Sequence, residues 1–178
     1  MPMIDVGAPD DLFPDGADCQ LTEELNSASL RADGATTPSP AHLAKTAAYI
    51  HRWDPRAVNA AGTRNARTVR FQVLTPPGAL NSAGQKSFVA EATQIITEIA
   101  GDPTQGARTW VLLTEAAEGG WGIAGTAFGR EEFAALASKS SATAATASPG
   151  VDTASSIPGF MDCDYFDLFA AKQETTSR

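Results

Sequence analysis

With 178 residues the chain is the size of one ordinary domain or two very small ones, and at 43% hydrophobic residues it can build a core. A formal net charge of -8 and a pI near 4.6 exclude a nucleic-acid surface, because phosphate neutralisation needs clustered Lys and Arg and no basic run is present. No apolar run reaches the roughly 18 residues needed to span a bilayer, and no basic and apolar signal segment opens the chain.

The two cysteines, Cys19 and Cys163, lack the spacing of a metal site or a disulfide framework. The expectations are therefore a cytoplasmic protein with reduced thiols, no metal, no cofactor, and neither nucleic acid nor membrane as a partner.

The chain begins Met1-Pro2-Met3-Ile4-Asp5-Val6. Methionine removal before a small residue would leave Pro2 with a free secondary amine. An α-amino group titrates at roughly 8, and burial penalises its charged form. In an apolar pocket such a proline is a candidate general base or nucleophile near pH 7.

Met3 to Ala8 reads as a strand, stopped by Pro9-Asp10-Asp11. Asp10, Asp11, Asp15 and Asp18 crowd the next loop and read as a solvated acidic surface that favours a helix start. Leu21, Leu25 and Ala28 then recur at helical spacing, which predicts a helix ending near Gly34. A Pro/Thr/Ser loop follows at 35–40.

Residues 43–53 read as a second strand, closed by Asp54-Pro55. Alternation places His51 on one face with Tyr49. Both, with Arg52, are candidate substrate contacts, although a lone strand histidine is commonly structural. Residues 57–66 have no periodicity and read as a connector. Thr68 to Leu74 reads as a strand before the Pro76-Pro77-Gly78 stop.

Ser82 and Gln85 have the spacing of a capping box. Phe88, Val89, Ala92, Ile95, Ile96 and Ile99 form an apolar stripe, ended by Gly101-Asp102-Pro103. Thr109 to Thr114 reads as a buried strand, and Glu115 to Gly125 has the glycines of a hairpin carrying Trp121. Beyond it lie a Ser/Ala/Thr-rich stretch at 135–156 and an aromatic patch at 160–169, which has the composition of a docking element.

Val6-Gly7-Ala8-Pro9 and Val73-Leu74-Thr75-Pro76 hold equivalent places, since 76 minus 9 is 67, and each is followed by a helix and a strand. The expected fold class is α/β (α+β): two tandem β-α-β units forming one four-stranded sheet with two helices on one face. The expected boundaries are a domain over 1–134, with units of about 2–62 and 68–128, a flexible linker over 135–156 and a tail over 157–178.

Pro2, this repeat, and Trp110-Val111-Leu112-Leu113-Thr114-Glu115 running into Gly120-Trp121-Gly122-Ile123-Ala124-Gly125 resemble the fused members of the 4-oxalocrotonate tautomerase superfamily. In layout the chain is most similar to members like cis-3-chloroacrylic acid dehalogenase and malonate semialdehyde decarboxylase. The resemblance covers about residues 2 to 130. It implies a homotrimer whose pocket is shared between chains, an amino-terminal proline as the catalytic group, and a small carboxylic acid as substrate. It also implies that Trp121 belongs to an aromatic pocket wall beside Pro2, with hairpin core as the other reading. Glu115 matches a water-activating glutamate of the dehalogenase, and equally a glutamate that many members keep without that role.

The departures concern carboxylate binding. Where short tautomerases carry arginines, this chain has Leu12 and Ala79 at one place and Ala47 and Trp110 at the other. The post-strand loop that carries paired arginines in dehalogenases and decarboxylases here reads Thr75-Pro76-Pro77-Gly78-Ala79. Without a guanidinium fork, bidentate carboxylate binding is lost. The expectation is a tautomerase-like enzyme with Pro2 as general base for keto-enol proton transfer on a small 2-oxo or enol acid. Two alternatives stay open: a hydratase or hydrolytic dehalogenase with Pro2 as acid and Glu115 activating water, and a non-catalytic trimer.

Overall fold

The computed structural model describes residues 2–34 and 46–135, all within the compact unit Met1–Ser138. The expected linker from 136 onward, the aromatic patch and the start of the expected second strand lie outside the described residues.

Two β-α-β units are present, as the repeat predicts. The first comprises β1 (Met3–Pro9), α1 (Ala17–Ala32) and β2 (Ala47–Trp53), the second β3 (Val69–Thr75), α2 (Ser82–Ala100) and β4 (Thr109–Glu115). They join in one sheet of order β2-β1-β3-β4, with β1 parallel to β2, β3 parallel to β4, and β1 antiparallel to β3. A short hairpin, β5 (Trp121–Ile123) and β6 (Thr126–Phe128), forms a separate two-stranded sheet.

The register carries the symmetry of the repeat. At the centre of the antiparallel pair Asp5 faces Gln72, and 72 minus 5 is 67, the repeat spacing itself. The units diverge after their first strands. Met3 pairs with Ala47, 44 positions on, whereas Val69 pairs with Thr109, 40 positions on, so the second crossover is four residues shorter.

Alternation decides which face is buried. Ile4, Val6 and Ala8 of β1 and Val69, Phe71 and Val73 of β3 point to the helix side, where they meet Leu21, Leu25 and Ala28 of α1 and Phe88, Ala92, Ile95 and Ile96 of α2. Each large side chain so buried contributes about 1.5–3 kcal/mol. Phe71 and Phe88 meet edge to face, with ring centres 5.8 Å apart.

Three local expectations need correction. The α2 N-cap is Asn81, whose side chain accepts from the Gly84 N–H, so Ser82 is already inside the helix. Val89 is exposed although it adjoins the stripe, because α2 turns it off the narrow face that meets the sheet. Strand β4 is half open, with Val111 and Leu113 against the core while Trp110 and Leu112 face outward, 56% and 47% exposed. An edge strand has helix cover on one side only, so an apolar run need not be buried on both.

Between α2 and β4, Asp102 accepts from Thr104 Oγ1 and N and from Arg108, which holds its carboxyl down at about 2.

On the open face the Trp53 ring lies across Gly7, close enough that a Cβ there would overlap it. Gly7→Ala is expected to push the indole off the sheet and destabilise the fold by about 1–3 kcal/mol, the usual cost of overpacking. Near-ultraviolet circular dichroism with a thermal melt checks both effects.

Candidate active site

Pro2 immediately precedes β1, and extending the β1–β3 register by one residue sets it beside Thr75. It is buried. A small cavity of ≈ 10 Å³ adjoins it, walled by Val73, Pro76, Ala79, Leu80 and Phe88 as apolar groups and by Ser29, Asp33 and Thr75 as polar ones. The hydroxyls are engaged, Ser29 Oγ donating to the Asn26 carbonyl at 2.7 Å and Thr75 Oγ1 to the Thr114 carbonyl at 3.5 Å. Such a volume holds one water at most.

Glu115 ends β4 directly across from Thr75, which puts it two strands from Pro2, about 10 Å at the usual strand spacing. Its Oε1 accepts from the Gly78 N–H at 2.8 Å and from Arg130 Nη2 at 3.1 Å. Arg130 also lies 3.6 Å from Glu118 Oε2, and its guanidinium covers Gly78, whose φ of +74° suits glycine. Arg130 therefore ties the loop after β3, which walls the Pro2 cavity, to the residues flanking the hairpin.

Trp121 is buried, 8% exposed, and pairs across the hairpin with Phe128, which stacks on Phe133 at 5.5 Å. Within one chain it is not part of the Pro2 cavity wall, contrary to the expected placement. The hairpin forms an aromatic cluster of its own.

The second-strand candidates lie elsewhere. His51 pairs with Gly7 and Tyr49 with Asp5, five and three residues along β1 from Pro2, or about 17 and 10 Å at the strand rise. Both do share the open face as alternation predicts, and His51 Nε2 is 2.8 Å from Asp5 Oδ1. Arg52 points to the other face. There it forks onto Asp18, with Nη2 2.6 Å from Oδ1, and donates to the Asp10 carbonyl at 2.8 Å, so it pins the loop between β1 and α1. A candidate anchor committed in this way is a structural clamp within its own chain.

Arg130 and Asp33 were not singled out from the sequence. Arg130 offered one signal, as the sole arginine between Arg108 and Arg178; its partners are 12 and 15 residues away. For Asp33 the signal was a carboxylate at a helix C-terminus. Among the described residues no cluster of His, Cys, Asp and Glu could hold a metal ion, and no helix is long and apolar enough to cross a membrane.

No protein-family model and no curated protein matches the sequence. Solved structures do match in fold. A fused 4-OT wild-type symmetric trimer superposes with a TM-score of 0.59 at 18% identity, over 70% of this chain and 93% of that one. Pt0534, inactivated by 2-oxo-3-pentynoate, gives 0.61 at 20% identity, over 72% and 98%. N1, a member of the cis-3-chloroacrylic acid dehalogenase family, gives 0.59 at 13% identity, over 76% and 90%. The chain shares the fold of these proteins, a mixed four-stranded sheet with two main helices.

Arg130→Ala is expected to release the hairpin from the loop after β3. Amide exchange over residues 121–128 should quicken, while global stability falls by no more than about 1 kcal/mol, because the side chain is largely exposed.

Proposed function

We propose that the protein is a member of the tautomerase superfamily in which Pro2, freed by loss of Met1, exchanges a proton between carbon and oxygen of a small 2-oxo or enol acid. The observation that carries this is the burial of Pro2 at the head of β1 against a nearly apolar wall, on a fold shared with fused 4-OT. A neutral secondary amine takes a proton from carbon, the electron pair moves to oxygen as the enolate forms, and the same proton returns at the alternate position. Burial supports the neutral form of the amine.

The space beside Pro2 is too small for a substrate, since ligand sites run to about 300–1,000 Å³. Room for an acid must therefore be made against a neighbouring surface. The open sheet face supports an assembly: Tyr49, Leu74, Trp110 and Leu112 are 48%, 37%, 56% and 47% exposed there, a patch that invites cover. We assign that cover to two further copies of the chain, in a homotrimer like the fused 4-OT it matches in fold. His51 and Tyr49, remote from Pro2 in their own chain, and Trp121, outside its cavity wall, then become candidates for a neighbour's pocket.

The hydratase or dehalogenase reading is less well supported. Glu115 Oε1 is already held by Gly78 and Arg130, an arrangement that suits a loop anchor better than a base for water.

Two outcomes are expected. Sedimentation equilibrium should give about three times the 18.5 kDa of one chain, and Trp110→Glu should shift the protein toward monomer. Pro2→Ala should lower ketonisation of phenylenolpyruvate by about 100-fold or more, the usual scale for losing a positioned base, with the circular dichroism spectrum retained. Full activity in Pro2→Ala, or in protein whose intact mass includes Met1, overturns the proline mechanism. Turnover of 3-haloacrylates in its place supports the hydrolytic reading, and turnover of neither class the non-catalytic one.

A further inference from the structure

Thr75, Pro76, Ala79 and Leu80 form one side of the Pro2 cavity, and the turn among them has few ways to hold its place. Pro76 and Pro77 have no amide hydrogen. The Ala79 N–H closes the turn on the Pro76 carbonyl at 3.2 Å. Pro77 followed by Gly78 at φ +74° is the pattern of a type II turn, which asks for glycine at its third position. Within residues 76–79 this leaves the Gly78 N–H as the backbone donor able to reach beyond the turn. It donates to Glu115 Oε1 at 2.8 Å.

Glu115 is itself fixed before it grips the turn. It ends β4 in register with Thr75, and the Ala116 N–H after it donates to the Thr75 carbonyl at 2.9 Å. Its Oε1 also accepts from Arg130 Nη2 at 3.1 Å. A hydrogen bond to an ionised acceptor is roughly twice as strong as one between neutral groups. The rest of the cavity wall needs no such tie, since Ser29, Val73 and Phe88 stand on α1, β3 and α2.

We propose that Glu115 is a positioning residue of the Pro2 site, whose carboxylate holds the 76–79 turn and thereby fixes the inner wall against which an acid binds. The inference rests on the reading of Pro2 as the catalytic base. Glu115 acts on the reaction through this wall alone and exchanges no proton with water or substrate. While the turn is held, the wall is preformed and an incoming acid need not order it. Once the turn is released, that ordering must accompany binding, so the loss falls on substrate affinity more than on the proton transfer.

Two substitutions separate holding a turn from moving a proton. Glu115→Gln keeps an oxygen that accepts from Gly78 and Arg130 but cannot serve as a base, whereas Glu115→Ala removes the acceptor. In NMR-detected amide exchange, Gly78 should exchange about 5- to 10-fold faster in Glu115→Ala, the scale of one net hydrogen bond, and within about twofold of the parent in Glu115→Gln. With phenylenolpyruvate, Glu115→Ala should raise KM by about fivefold or more while kcat changes less, and Glu115→Gln should bring KM back near the parent value. Both changes lie at the exposed end of a strand and are expected to fold, which circular dichroism checks. An unchanged Gly78 exchange rate in Glu115→Ala overturns the proposal, and so does a steep loss of kcat in Glu115→Gln, the mark of a proton-transfer group. The exchange readout needs no turnover. A faster Gly78 amide in protein that ketonises nothing keeps Glu115 as the holder of the wall and removes the tautomerase reading, whereas an unchanged amide in an enzyme that Pro2→Ala inactivates does the reverse.

Discussion

The antiparallel pairing of β1 with β3 is the contact on which the rest of the molecule depends. Each β-α-β unit has a sheet face that it cannot cover alone, and the pairing joins the two so that both helices fall on the same side. Ile4, Val6, Phe71 and Val73 then form one floor beneath α1 and α2. Because the strands run in opposite directions, the head of β1 meets the tail of β3. Pro2 is therefore walled by the second unit's loop as well as by the last turn of α1. The cavity is a product of the pairing more than of either repeat.

The same geometry explains what could be read in advance. The period of the α2 stripe, the alternation that put Tyr49 and His51 on one face, and the repeat spacing of 67 are local or translational signals, and they survive into the fold. Which side of a strand receives helix cover is a tertiary matter, so the openness of Trp110 and Leu112 was not visible in an apolar run. The cap at Asn81 in place of Ser82 is a one-residue difference of the kind that helix ends commonly show. Site residues were legible only where they stood within a motif. Arg130 meets Glu115, and Asp33 and Pro2 come to line one cavity, through packing between elements far apart in sequence.

Charge around the site now looks different from what the missing arginines alone suggested. Asp33, Glu115 and Glu118 lie around Pro2 and its adjoining loop, and Arg130 is already shared between the last two. Within a single chain, the described residues near Pro2 thus hold more acid than base. A dianionic substrate would meet repulsion there unless a neighbouring chain brought a cation. On the proposed reading, monoanions, or acids whose second charge is replaced by an aromatic group, would fit this field better.

The repeat spacing has one further chemical consequence. The residue related to Pro2 by 67 positions is Val69, fully buried at the head of β3. Its nitrogen is a planar peptide nitrogen whose lone pair is delocalised into the carbonyl, so it has no basicity to offer. Just before it, the Arg67 carbonyl is held by Gln105 Nε2 at 3.0 Å and by Arg108 Nε at 3.4 Å. On the proposed reading of Pro2, carrying both units on one polypeptide thereby leaves the second unit without an imino nitrogen at the equivalent place. That place, relieved of reactivity, is free to serve as masonry.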